Sequence, residues 1–182
     1  MSPPEEVPET SRPPSLRFIV DHNVARLARW LRMMGYDTVV FDQPDDWQMV
    51  RISLAEDRII ITRDTGVMKR RVITSGKLKA LLVTSDDPAE QIQQVINAFG
   101  LDDRRAFTLC IECNVPLVAI NAETVKDRVP PYVFKTQNEF VECPVCHRVY
   151  WKGTHWQAMA KVLDRLTGRE EADNESQTGP QD

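Results

Sequence analysis

Arg58-Ile59-Ile60-Ile61-Thr62-Arg63-Asp64 is the stretch that decides the fold. A run of isoleucines with no alternating polar positions reads as a strand buried on both faces, and such strands belong to parallel sheets covered by helices. Upstream, Leu16-Arg17-Phe18-Ile19-Val20 and Thr38-Val39-Val40-Phe41 read as two more strands, and downstream Lys79-Ala80-Leu81-Leu82-Val83-Thr84 reads as a fourth. Helical patterns fill the gaps. Asn23 is placed to cap a helix in which Val24, Leu27, Ala28, Leu31 and Met34 share one face and which Gly35 ends. Asp45 or Asp46 starts a helix running towards Glu56, and a short basic helix is expected around Val67 to Ile73. Asp87-Pro88-Ala89-Glu90 supplies a cap, a first-turn proline and a capping-box acid for a helix to Phe99. Strand and helix alternating in this way predict an α/β fold with right-handed crossovers and a mostly parallel sheet.

From about Leu101 the pattern changes to short strand candidates, Pro130-Pro131 and a last helix. Thr154-x-x-Gln157 reads as the capping box of that helix, with Trp156, Met159, Leu163 and Leu166 on one side. The chain's four cysteines stand here in two pairs, Cys110-x-x-Cys113 and Cys143-x-x-Cys146. Each knuckle brings two thiolates to one side of an ion, so the pair of knuckles completes a closed tetrahedral zinc shell. Disulfides would need an oxidising compartment, whereas no apolar targeting segment opens the chain, and a cytoplasmic protein is expected. Cys143 to His147 also match the haem-attachment spacing, and one knuckle alone matches a redox pair, but only zinc accounts for both knuckles together.

The 182 residues are 42% apolar, enough to bury a core, and hold no run long enough to span a bilayer. The net charge of −4 divides unevenly: residues 1–15 sum to −2 and residues 167–182 to −4, leaving the middle at +2. Both ends are acidic and poor in apolar residues, the composition of disordered tails. The expected organisation is therefore a tail over 1–15, an α/β domain over 16–100, a zinc ribbon with its closing helix over 101–166, and a tail over 167–182. A slightly basic middle permits nucleic acid as a partner without demanding it.

In an open parallel sheet, ligands collect at the carboxyl ends of the strands. Asp21 follows the first strand, Asp42, Asp45 and Asp46 the second, Asp64 the third, and Asp86 and Asp87 the fourth. Carboxylates gathered at one edge repel one another unless a cation neutralises them, and hard oxygen ligands suit Mg²⁺ or Mn²⁺. Asp is equally a preferred helix cap; Asp87 before Pro88 and Asp45 read as caps and Asp42 as a solvated turn residue. Asp21 resists that explanation because Asn23 is the better-placed cap. Arg26, Arg29 and Arg32 spread over the face opposite the core, with Met33 outward beside them and Trp30 on the flank. That face suits either RNA or docking of the zinc module. Arg63, Lys69, Arg70 and Arg71 flank Asp64, within reach of phosphates entering an acidic cleft. There is no Gly-rich phosphate loop and no G-x-S-x-G elbow, which argues against P-loop NTPases and α/β-hydrolases.

Val20-Asp21, Leu27 to Thr38, Ile61-Thr62-Arg63-Asp64, Ser85 to Pro88, Cys110-Ile111-Glu112-Cys113-Asn114, Lys126 to Pro131 and Gly153 to Trp156 together resemble the Mut-seven carboxy-terminal RNase family. The resemblance runs from Phe18 to Met159. It implies a PIN-like, three-layer ribonuclease core followed by a zinc ribbon, and a metal-dependent enzyme acting on RNA. By motif position it implies Asp21, Asp46 and Asp64 as acids holding Mg²⁺ or Mn²⁺, with Asp86 or Asp87 as a fourth, and it favours Asp46 over Asp45. It further implies products bearing a 5′-phosphate and a 3′-hydroxyl. The rival readings are a non-catalytic RNA- or ribosome-binding module and an adaptor that docks a protein partner through Trp30 and Met33.

Overall fold

The computed structural model describes residues 16–168. The tails expected over 1–15 and 167–182 lie outside the described residues, apart from Thr167 and Gly168. Strands β1 (Phe18–Asp21), β2 (Thr38–Phe41), β3 (Ile59–Thr62) and β4 (Ala80–Leu82) form one parallel sheet in the order β2-β1-β3-β4. β1 and β3 lie in the middle and are buried along their whole length, as the isoleucine run required. Alternate side chains feed two cores. Phe18, Val20, Ile59 and Ile61 pack with Leu27, Leu31 and Met34 of the first helical segment and with Ile92 and Val95. Ile19, Ile60 and Phe41 pack on the other face with Met49, Val50 and Val67. The result is a helix–sheet–helix sandwich.

The helices are α1 (Arg26–Met33), α2 (Asp46–Glu56), α3 (Thr65–Met68), α4 (Arg71–Thr74) and α5 (Pro88–Phe99). Three expectations change. Asn23 is not a cap: it lies in a 3-10 turn over His22–Val24, α1 begins after Ala25, and the Asn23 amide turns back to Asp21. The single basic helix is two short helices, broken where Arg70 adopts an extended backbone at φ −64°, ψ 135°. Glu90 accepts from the Ser85 hydroxyl instead of closing a capping box, while Asp87 caps α5 through the Ala89 amide. Gly35 ends the first helical segment at φ +88°, and a Cβ there would fall 2.2 Å from the Arg105 carbonyl oxygen. Glycine is therefore demanded both by backbone sign and by the approach of a later segment.

The second region is antiparallel. β5 (Val118–Ile120), β6 (Phe140–Glu142) and β7 (Val149–Trp151) pair in sequence order, with α6 (Pro131–Thr136) covering a small core of Val125, Val129, Val133 and Phe140. The last helix, α7 (Thr154–Leu166), starts from Gly153 with no side-chain cap, so Thr154 and Gln157 form no capping box. Its apolar side returns to the first region, where fully buried Leu163 joins the core of Phe18 and Leu31. Met33 is corrected likewise: it is 3% exposed, not outward, because the segment around Phe107 covers it and the Phe107 amide donates to its carbonyl. No helix among the described residues is long and apolar enough to cross a membrane.

Candidate functional site

Because all four strands of the first sheet run parallel, their carboxyl ends share one edge. Asp21 and Asp64 arrive there from neighbouring strands, and the Asp21 carboxylate and the Asp64 backbone amide share one hydroxyl. The Thr62 hydroxyl donates to Asp21 Oδ2 at 2.8 Å and accepts from the Asp64 amide at 3.0 Å. Asp21 is 7% exposed, and its oxygens also accept from Asn23 Nδ2 at 2.8 Å and face His22 Nδ1 at 2.9 Å. Asp64 caps α3, its Oδ1 accepting from the Gly66 amide. Thr62 escaped the sequence reading. Its signal was a polar residue closing an otherwise apolar buried strand, where an unpaired hydroxyl would be costly.

The other acids are placed differently. Asp45 caps α2 through the Trp47 amide, and Asp46, in the first turn of α2, pairs with Arg70 at 2.9 Å. Arg70 Cζ lies over the Trp47 ring, 4.4 Å from its centre. Asp86 is exposed and paired with Arg63, and Asp87 is the α5 cap. Asp42 is exposed in its turn. Asp46 and Asp86 thus each have an arginine of this same chain as partner, while Asp45 and Asp87 are taken up by backbone amides. Among the described residues, Asp21, Asp46 and Asp64 do not make a group whose oxygens converge as metal ligands.

The cysteines do converge. Ligand atoms of Cys110, Cys113, Cys143 and Cys146 all lie within 4.8 Å of one another. Each knuckle closes in the same manner, the residue after its second cysteine turning left-handed, Asn114 at φ 58° and His147 at φ 57°. Their amides donate back to the carbonyls of Cys110 and Cys143, both at 2.9 Å. Backbone amides also point at sulfur, Cys113 N at 3.4 Å from Cys110 Sγ and Cys146 N at 3.5 Å from Cys143 Sγ. Burial pushes the Cys110 thiol up, but hydrogen bonds from the Tyr150 hydroxyl and backbone amides outweigh it and hold it down at about 6. Burial and the surrounding thiols push Cys113 up to about 12. So crowded a set cannot carry four negative charges unaided, and a soft-accepting divalent cation such as zinc fits it.

The first knuckle is fastened to the opposite, amino edge of the sheet. Asn114 Oδ1 accepts from the Thr38 amide at 2.9 Å, satisfying the outer edge of β2, and its Nδ2 donates to Asp37. Arg32 donates to the carbonyls of Thr38, Ile111 and Glu112, and Arg29 pairs with Glu112 at 2.8 Å. Two arginines of the basic face therefore dock the cysteine-bearing module, while Arg26, Lys69 and Arg71 stand exposed. Burial raises the Asp37 carboxyl, but hydrogen bonds from Arg58, Asn114 and Arg17 prevail and bring it down to about 2. A cavity of about 680 Å³ opens between ribbon and α7, lined by Phe107, Tyr132, Tyr150, Trp151 and Trp156 among others. It contains none of the strand-end acids.

Residues 16–163 match the family model of the Mut7-C RNAse domain, and the chain belongs to that family. No curated protein and no solved structure matches the chain.

Proposed function

We propose that this member of the Mut7-C RNAse family is a metal-dependent ribonuclease, with Asp21 and Asp64 at the centre of its site. The observation that carries the reading is the Thr62 hydroxyl, which donates to the Asp21 carboxylate and accepts from the backbone amide of Asp64 at the neighbouring strand end. The donors there are hard carboxylate oxygens, the kind Mg²⁺ and Mn²⁺ select. Asp21 and Asp64 would hold such an ion, with Asp46 joining once it releases Arg70. A bound ion would acidify an attacking water and steady the leaving oxygen. The chain's own groups do the rest. Thr62 and Asn23 hold Asp21 in one orientation, and the Gly66 amide holds Asp64. Arg63, Lys69, Arg70 and Arg71 offer positive charge to the RNA backbone on the same edge. Hydrolysis leaves a 5′-phosphate and a 3′-hydroxyl.

The thiolate cluster, in this reading, holds zinc and stiffens the second region. Its aromatic-lined cavity supports a contribution to RNA binding, since bases stack on such rings irrespective of sequence. Asp64→Asn tests the proposal with little risk to folding, because asparagine caps helices as well as aspartate does. Labelled single-stranded and structured RNA, incubated with and without Mn²⁺, should be cut by the parent protein and left intact by the variant. Zinc content and circular dichroism should match. Cleavage undiminished in Asp64→Asn would refute the assignment.

A further inference from the structure

We propose that the outer face of Trp47 is a stacking platform for one unpaired nucleobase, which makes single-stranded RNA the substrate class of the carboxyl edge. The inference rests on the reading above that RNA is the substrate there, and it requires no ion at the acids. Trp47 is 60% exposed and is the largest of the exposed apolar side chains among the described residues. It sits in the first turn of α2, which follows β2 at the edge where Asp21 lies, and its amide donates to Asp45 Oδ1 at 2.9 Å. Arg70 Cζ lies over the indole, 4.4 Å from the ring centre, and Arg70 is itself held by Asp46 at 2.9 Å. One face of the ring is thus backed by a guanidinium, and the exposed surface belongs to the other face and the rim.

Apolar area left in water adds nothing to folding through burial. Met49 and Val50 of the same helix supply that burial, and Trp47 is turned away from them. A lone exposed ring is commonplace; what sets this one apart is its surroundings. Lys69 and Arg71, on either side of Arg70 in sequence, are exposed and make no ion pair among the described residues. The same holds for Arg51, one helical turn or about 6 Å beyond Trp47 on the same side of α2. An aromatic face ringed by unpaired cations matches a strand of RNA in both its parts. A base stacks on the ring and the phosphates meet the cations. In a duplex both faces of a base are already stacked, so the ring selects a base that is unpaired.

The test is fluorescence anisotropy of a labelled oligoribonucleotide, single-stranded or annealed to its complement. It uses full-length protein prepared with zinc, in the Asp64→Asn background so that the RNA stays whole. Trp47→Ala should weaken single-strand binding by about tenfold, the scale of one stacked base, and change duplex binding by less than about twofold. Trp47→Phe, which keeps an aromatic face, should recover most of the loss, whereas Trp47→Leu should not. Melting temperatures should match throughout. Single-strand binding untouched by Trp47→Ala, equal losses on single strand and duplex, or full recovery with leucine overturns the platform. Cleavage assays in the Asp64 parent separate this from the reading above. Mn²⁺-dependent cleavage that needs Asp64, with an RNA KM unchanged by Trp47→Ala, removes the platform and leaves that reading standing. A parent protein that binds no RNA removes both.

Discussion

At the amino edge of the parallel sheet, a cysteine knuckle is clamped to β2; at the carboxyl edge, acids from successive crossovers have separate partners, Asp46 with Arg70 and Asp86 with Arg63 among them. The sulfurs lie within 4.8 Å of one another. Two short turns place them, each closed by a left-handed residue and by amides directed at sulfur. The acids come from elements separated by whole helices, and the link between Asp21 and Asp64 runs through Thr62 to the Asp64 backbone amide. The difference teaches that a site made of two local turns is set by short-range backbone geometry, whereas a site made across crossovers depends on how distant elements pack. It also separates roles in space, because the ribbon is fastened at the edge away from the candidate catalytic acids.

The sharpest way to break the comparison is metal removal. Stripping the zinc proposed for the cysteine cluster, or making Cys110→Ser, should unfold the ribbon with a loss of several kcal/mol, about the scale of a structural zinc site. Withholding Mg²⁺ or Mn²⁺ should leave the melting temperature nearly unchanged. Equal sensitivity to both would show that the two regions are not built differently. Next in size is the clamp. Asn114→Ala leaves the Thr38 amide and Asp37 each short of a partner, and chemical denaturation should register a loss of about 1–3 kcal/mol.

Acid should loosen the same clamp. The folded Asp37 carboxyl lies at about 2 against an ordinary 3.8, so its stabilisation is present above 3.8 and is lost as pH falls towards 2. With solvent screening allowed for, about 1–2 kcal/mol should disappear across that window, and Asp37→Asn should flatten the profile. The smallest effect belongs to Arg29. Its ion pair with Glu112 is 59% and 41% exposed, so Arg29→Ala should cost under about 1 kcal/mol and less in high salt. A larger loss would mean that the module hangs on surface charge and not on the Asn114 and Arg32 contacts.

Much of the sheet was legible because strand period and burial follow from side-chain chemistry alone. Thr38–Phe41 matches to the residue, and the isoleucine run sits in the middle as its composition demands. The caps were half legible. Asp87 and Asp45 bind the amides their positions suggested, but Asn23 and Glu90 found other partners, because a capping side chain serves whichever donor or acceptor the fold brings nearest. Met33 read as outward since one helix's periodicity does not reveal a second segment lying across it. Thr62, Asn114 and the Arg70–Trp47 stack were invisible for the same reason, each defined by a contact between elements far apart in the chain.

The amino-acid order alone determined the alternation of strands and helices in the first region, that its sheet runs parallel, and that the four cysteines form two paired knuckles, since periodicity and turn spacing act over a few residues. Only the folded chain decided which arginine neutralises which acid, which face of α1 is covered, and at which edge of the sheet the ribbon is seated. Those outcomes depend on the distances between separate elements, and no local preference encodes a distance that the packing of the core has yet to set.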